Sequence, residues 1–330
     1  MRVGVFGLGR MGARRAELLA AHAAVDELVV ANRAEARGRE VAARLGAEWL
    51  PLAAALEAPL DAAVVATSTA THADFLERLV HRGVPVLCEK PLAVTVEESR
   101  RLAELVEDTG VPVQMGFQRR HDPAYRAARD AVASGALGTL YSLRLAAHDA
   151  DPSPEDYIPT SGGIFRDMHV HDFDLVRWLT GEEIVQVFAT GSVREWERFA
   201  RHDDVDTTAI ALRTASGIPV VVTGARHDPL GYDSRAELFG SKDSISVGLT
   251  RHTPLRAVEG GSPEPPVPVG FLDRFDDAFR IETETFVDVA RRLAENPCAP
   301  ADALAALRVA EACDLSRREQ RAVELQEVAA

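Results

Sequence analysis

The segment Gly7-Leu8-Gly9-Arg10-Met11-Gly12 follows an apolar run that begins at Arg2, and a helical pattern opens within it. A second apolar run at Glu27–Ala31 completes a strand, turn, helix, strand unit, and that context gives the glycine spacing its meaning. Missing side chains let the backbone turn tightly and come close to a pyrophosphate. The helix N-terminus adds unpaired N–H groups and a partial positive charge. The expected ligand is a dinucleotide held by Gly7, Gly9, Arg10, Met11 and Gly12; the alternative is a glycine turn needed only for packing.

The position that should meet the adenosine ribose, about 20 residues beyond the turn, falls on Asn32 and not on an acid. Arg33 follows it. A carboxylate there would grip both ribose hydroxyls and repel a 2′-phosphate, whereas neutral Asn32 beside cationic Arg33 removes the repulsion. NAD and NADP are therefore both admissible. Arg33 either pairs with the phosphate, or is solvated or stacked on adenine without choosing.

Apolar runs at 62–66, 84–89 and 111–116 alternate with helical patterns, a rhythm of parallel β-α-β units. Thr95-Val96-Glu97-Glu98 fits a capping box, and Asp122-Pro123 fits a cap followed by the first helical position. Beyond Thr139 the pattern changes. Runs at 141–147, 184–190, 207–213, 218–224 and 236–239 have few helices between them, which predicts one open, mostly antiparallel sheet. A helix is expected at 167–179, and two more near 276–294 and 301–316. The expected fold class is α/β: an N-terminal doubly wound Rossmann sheet over residues 1–120, then an α+β domain over 121–330 for substrate binding and oligomerisation.

A length of 330 residues suits two such domains. The net charge of −14 and an aromatic content of 6% speak against nucleic-acid binding, since acidic surfaces repel polyphosphate and stacking platforms need rings. Three widely spaced cysteines, Cys88, Cys298 and Cys313, do not suggest a disulfide framework. No 18-residue stretch is free of charge or proline, and the strand-like run starting at Arg2 leaves no room for a leader. A cytoplasmic protein with no membrane partner is expected.

Two places carry chemistry. Glu89-Lys90-Pro91 sits at the carboxyl end of a parallel strand, where open α/β sheets place their ligands. A lysine emerging there can reach the nicotinamide side, where its ammonium suits a developing alkoxide; the alternative for Lys90 is a surface lysine before a turn. Asp167-Met168-His169-Val170-His171-Asp172 follows the Gly162-Gly163 turn, and Asp167 and His171, four apart, share one helical face. A histidine is the natural base for a secondary alcohol, and a carboxylate one turn away orients it or a neighbouring hydroxyl. His169 and His171 point about 200° apart on a helix, which is poor for one ion, so no metal is expected.

Taken in this order, the glycine turn, Glu89-Lys90-Pro91 and the 167–171 helix resemble the Gfo/Idh/MocA oxidoreductase family over nearly the whole chain. The strings 116–122, 161–174 and Gly231-Tyr232-Asp233 are similar to its inositol 2-dehydrogenase branch. The resemblance implies a catalytic triad of Lys90, Asp167 and His171, with His171 as base, Lys90 stabilising the alkoxide and Asp167 orienting the reacting ring. It places Gln118, Arg119, His148 and Tyr232, with Asp167 and His171, against a polyol. It also adds Thr67, Thr69, His72, Glu89 and Lys90 to the coenzyme residues. Two departures stand out: Asn32-Arg33 replaces the acid usual in NAD-specific members, and Ala150 lacks a polar side chain in the stretch after His148. The implied activity is reversible oxidation of a ring alcohol of myo-inositol or a related cyclic polyol or sugar, in a homodimer or homotetramer. A sugar-nucleotide or deoxysugar ketoreductase, or a non-catalytic coenzyme-binding regulator, are the alternatives.

Overall fold

The computed structural model describes residues 1–328, which fall into two compact units. The first comprises residues 1–118 and 279–304; the second comprises 119–278 and the segment from 305 onward. A single boundary after residue 120 is thus incomplete, because the chain returns to its first unit late.

In the first unit, strands β1 (Arg2–Phe6), β2 (Glu27–Ala31), β3 (Glu48–Trp49), β4 (Ala62–Val65), β5 (Val86–Glu89) and β6 (Val113–Gly116) form a sheet of order β3-β2-β1-β4-β5-β6. Every pairing is parallel. Such strands are covered on both faces, and β4 is buried at every position, which is why these runs read as continuously apolar. Two helix starts carry side-chain caps where the sequence signals fall, Thr95 making the first bond of the expected capping box. Thr95 accepts a hydrogen bond from the Glu98 N–H at 3.1 Å, and in the second unit Asp122 caps the helix Pro123–Ala133 by accepting from the N–H groups of Ala124 and Tyr125.

The returning segment is integral to this unit. Phe286 and Val287 join a core that includes Val3, Val5, Leu19, Val30 and Leu87. Cys298 O accepts from Met115 N–H at 2.9 Å. Arg15, fully buried on the helix Arg10–Ala20, pairs with Glu282 of the segment and with Glu89 at 3.0 Å, and bonds Thr283 Oγ1 at 3.0 Å.

The second unit carries β7 (Leu140–His148), β8 (Ile184–Ser192), β9 (Thr207–Thr214), β10 (Pro219–Ala225), β11 (Asp233–Gly240), β12 (Ser244–Val247) and β13 (Val323–Glu324), in the order β12-β11-β7-β10-β9-β8-β13. Only β10 with β7 is a parallel pair, so the sheet is mostly antiparallel, as its alternating pattern predicts. Along β9, Thr208, Ile210, Leu212 and Thr214 are buried while Ala209, Ala211 and Arg213 are exposed. The expected helix at 167–179 is a wide π turn, Phe165–His169, running into the α-helix Val170–Thr180. Its docking on the sheet depends on Gly224. A Cβ there would lie 2.4 Å from the His169 ring, so only glycine leaves space for that imidazole.

Candidate active site

In the first unit the glycine turn lies at the point where the strand order reverses, between β1 and β4. Gly7 adopts φ +86°, and a Cβ on it would meet the Ala66 carbonyl oxygen at 2.5 Å. A Cβ on Gly12 would lie 1.8 Å from the Gly7 carbonyl oxygen. These two glycines are structural necessities of the turn. Gly9 is different: it is exposed, and a Cβ on it would meet nothing within 4 Å. Open space over Gly9 at the start of an 11-residue helix, with Arg10 exposed and Met11 half-buried, is the cradle a pyrophosphate fits.

Asn32 follows β2 and is tied to that cradle: its Oδ1 accepts from Leu8 N–H at 3.0 Å, and its Nδ2 donates to Ala34 O at 3.1 Å. Arg33 beside it is exposed. Beyond β4, Thr67 and Thr69 are half-buried, and Thr71 donates its hydroxyl to Thr67 Oγ1 at 2.8 Å. His72 is buried, with Nδ1 2.9 Å from Pro91 O and Nε2 3.2 Å from Thr67 O. Burial pushes its pKa down, which favours the neutral ring. His72 thereby fastens the loop after β4 to the loop that carries Lys90. Glu89 ends β5 buried against Arg15, and Lys90 follows it half-buried.

In the second unit the candidate residues gather along one end of its sheet. Register sets Asp233, at the start of β11, opposite His148, at the end of β7, and Ala225, at the end of β10, opposite the same His148. Asp149, Arg226 and Tyr232 are the adjoining residues. Asp167 lies within the π turn; Tyr157 donates its hydroxyl to Oδ1 at 2.8 Å, and Arg226 donates to Oδ2 at 2.8 Å. His171 is half-buried in the first turn of the following α-helix.

Arg119 is buried and donates to Asp172, whose other oxygen lies 2.8 Å from His169 Nδ1; His169 Nε2 lies 2.7 Å from Thr208 Oγ1. Both nitrogens of His169 are thus engaged in the interior. Burial alone would raise the Asp172 pKa, but the Arg119 guanidinium and His169 outweigh it and hold the carboxyl below its ordinary value. Tyr232 is buried too, and desolvation, against the pull of Arg119, pushes its phenol up to about 12, so it stays a neutral hydroxyl at physiological pH. Gln118 is buried at the end of the first unit's leading segment.

His148 Nδ1 lies 3.6 Å from Asp228 and 3.7 Å from Asp233. These three are the one group with metal-ligating proximity among the described residues. Asp233 already receives Arg235 at 2.9 Å on both oxygens, so its charge is met from within the protein. Sequence reasoning named Asp167 but missed Arg226, Tyr157 and Asp228; Arg226 is 59 positions from Asp167, and a strand-end arginine carries no local signal.

The glycine cradle at the switch point of the first unit is an arrangement that binds a dinucleotide coenzyme. Residues 1–117 match the oxidoreductase family with an NAD-binding Rossmann fold, and residues 125–246 match the GFO/IDH/MocA C-terminal domain. The chain belongs to the Gfo/Idh/MocA oxidoreductase family. It is 35% identical over 327 residues to the inositol 2-dehydrogenase of Rhizobium meliloti (strain 1021), covering 98% of this chain and 99% of that one. It is 36% identical over 335 residues to the myo-inositol 2-dehydrogenase of Thermotoga maritima, covering 99% of each. The crystal structure of a myo-inositol dehydrogenase from Corynebacterium glutamicum superposes with a TM-score of 0.90 at 35% identity, covering 98% of each chain.

Proposed function

We propose that this chain is an NAD(P)-dependent inositol 2-dehydrogenase, oxidising a ring secondary alcohol of myo-inositol or a close cyclic polyol to the ketone, reversibly. The observation that carries the reading is Asp167 and His171 together on a helix docked at the sheet end that also presents His148 and Tyr232, in a chain similar over its length to inositol dehydrogenases. His171 takes the hydroxyl proton, and the Lys90 ammonium stabilises negative charge on the oxygen as the carbonyl forms. A nicotinamide coenzyme held at the glycine cradle would supply the acceptor for the carbinol hydride. Asp167 orients the ring, and Gln118, Arg119, His148 and Tyr232 supply polar contacts to its hydroxyls. Gly7, Gly9, Arg10, Met11, Gly12, Asn32, Arg33, Thr67, Thr69, His72 and Glu89 form the coenzyme side. A panel of inositols, free sugars and nucleotide sugars, followed by the absorbance of reduced coenzyme, tests the reading. Turnover of an inositol is expected; turnover of a nucleotide sugar alone would overturn it.

Assembly follows from the exposed sheet face. Phe188, Ala211 and Val221 stand side by side across β8, β9 and β10, and Phe188 is 42% and Val221 47% exposed. A second copy covering this strip would bury apolar surface that otherwise faces water. Light scattering should give a mass of two or four times 35.7 kDa, and a monomer at assay concentration would refute this. No helix among the described residues is long and apolar enough to cross a membrane. Cys88, Cys298 and Cys313 are buried and form no disulfide among the described residues, which supports placing the protein in the cytoplasm.

A further inference from the structure

Asp167 is gripped by a residue outside the triad. Arg226 immediately follows β10, is 2% exposed, and is fixed by its own backbone: its N–H donates to Asp206 O at 2.8 Å. Its guanidinium faces three carboxylates, Asp167 at 2.8 Å, Asp149 at 3.5 Å and Asp204 at 3.9 Å. One buried cation therefore serves three anions, and its shortest contact is with the carboxylate on the reaction helix. Tyr157 closes on the other oxygen of Asp167, so the two donors together set the carboxylate plane.

We propose that Arg226 is a positioning residue for the dehydrogenase reaction, fixing Asp167 as an oriented anion beside the helix that carries His171. The proposal rests on the reading of Asp167 given above. Without Arg226, Asp167 would lose the guanidinium that donates to its Oδ2 at 2.8 Å, and with it one of the two donors that fix the carboxylate plane. A carboxylate free to turn out of that plane would orient the ring less well and give less support to positive charge on His171 as the hydroxyl proton arrives. Lysine at 226 would keep the charge but lose the planar fork that reaches two carboxylates at once.

The test compares Arg226→Gln, Arg226→Lys, Asp167→Asn and the double variant Asp167→Asn/Arg226→Gln, with kcat and the KM values for polyol and coenzyme measured separately. Residues acting as a unit give non-additive losses, so Arg226→Gln should lower kcat about tenfold or more in the parent and less than about twofold in the Asp167→Asn background. Arg226→Lys should recover part of the loss. The coenzyme KM should stay near the parent value in all four, because the coenzyme residues are in the other unit. Equal losses in both backgrounds, a parent-like kcat for Arg226→Gln, or no recovery with lysine would overturn the proposal while leaving the proposed activity intact. An unaltered protein inactive toward every polyol and sugar would overturn the activity and this proposal with it.

Discussion

Replacing His171 by alanine should lower kcat by about 10²-fold or more, the loss expected on removal of the proposed general base. Lys90→Ala should cost a similar factor through loss of the cation facing the developing alkoxide. The two variants should differ in their coenzyme KM. Lys90 follows β5 in the unit that holds the glycine cradle, whereas His171 is in the second unit, so His171→Ala should leave coenzyme affinity closer to the parent. Asp167→Asn keeps its size and one acceptor oxygen and should lose less than either. Steady-state kinetics over a range of pH decides the assignment; a His171→Ala protein with near-parent kcat throughout would remove the histidine from the base role.

Coenzyme choice is the second large effect. Asn32 uses its oxygen to hold the Leu8 N–H, and aspartate at 32 would preserve that acceptor, so Asn32→Asp changes charge without dismantling the turn. Exposed Arg33 is available to a 2′-phosphate, and a charge-assisted contact of this kind is worth about 1.5–3 kcal/mol. The ratio of kcat/KM for NAD to that for NADP should therefore rise about ten- to hundredfold in Asn32→Asp, through restored repulsion of the phosphate. An unchanged ratio would mean that the end of β2 does not meet the ribose.

Much of this architecture was legible in the sequence because its strands are buried in two recognisable ways. Those covered on both faces, such as Ala62–Val65, read as apolar runs, and those covered on one, such as Thr207–Thr214, read as alternation. Strand β3, two residues long, and the short edge strand β12, Ser-Ile-Ser-Val, offer too little pattern to stand out. The π turn at Phe165–His169 has no compositional signature either; it arises where the helix docks over Gly224, a fact of tertiary packing. The site divides in the same way. Glycines, Lys90, Asp167 and His171 announce themselves by type and spacing, while Arg226 and Tyr157 matter only because the fold brings their donors to Asp167.

The late return of residues 279–304 bears on how the chain is made. A ribosome releases the first 118 residues with all six strands of the parallel sheet, but without Phe286, Val287 or the carboxylate of Glu282. Until those arrive, an apolar wall of the nascent sheet lacks its cover and Arg15 lacks one of its two carboxylates, a state that favours chaperone capture over early, independent folding. Synthesis of the entire second sheet except its last strand, β13, precedes completion of the first unit, so the coenzyme-binding unit matures only when more than nine-tenths of the polypeptide exists.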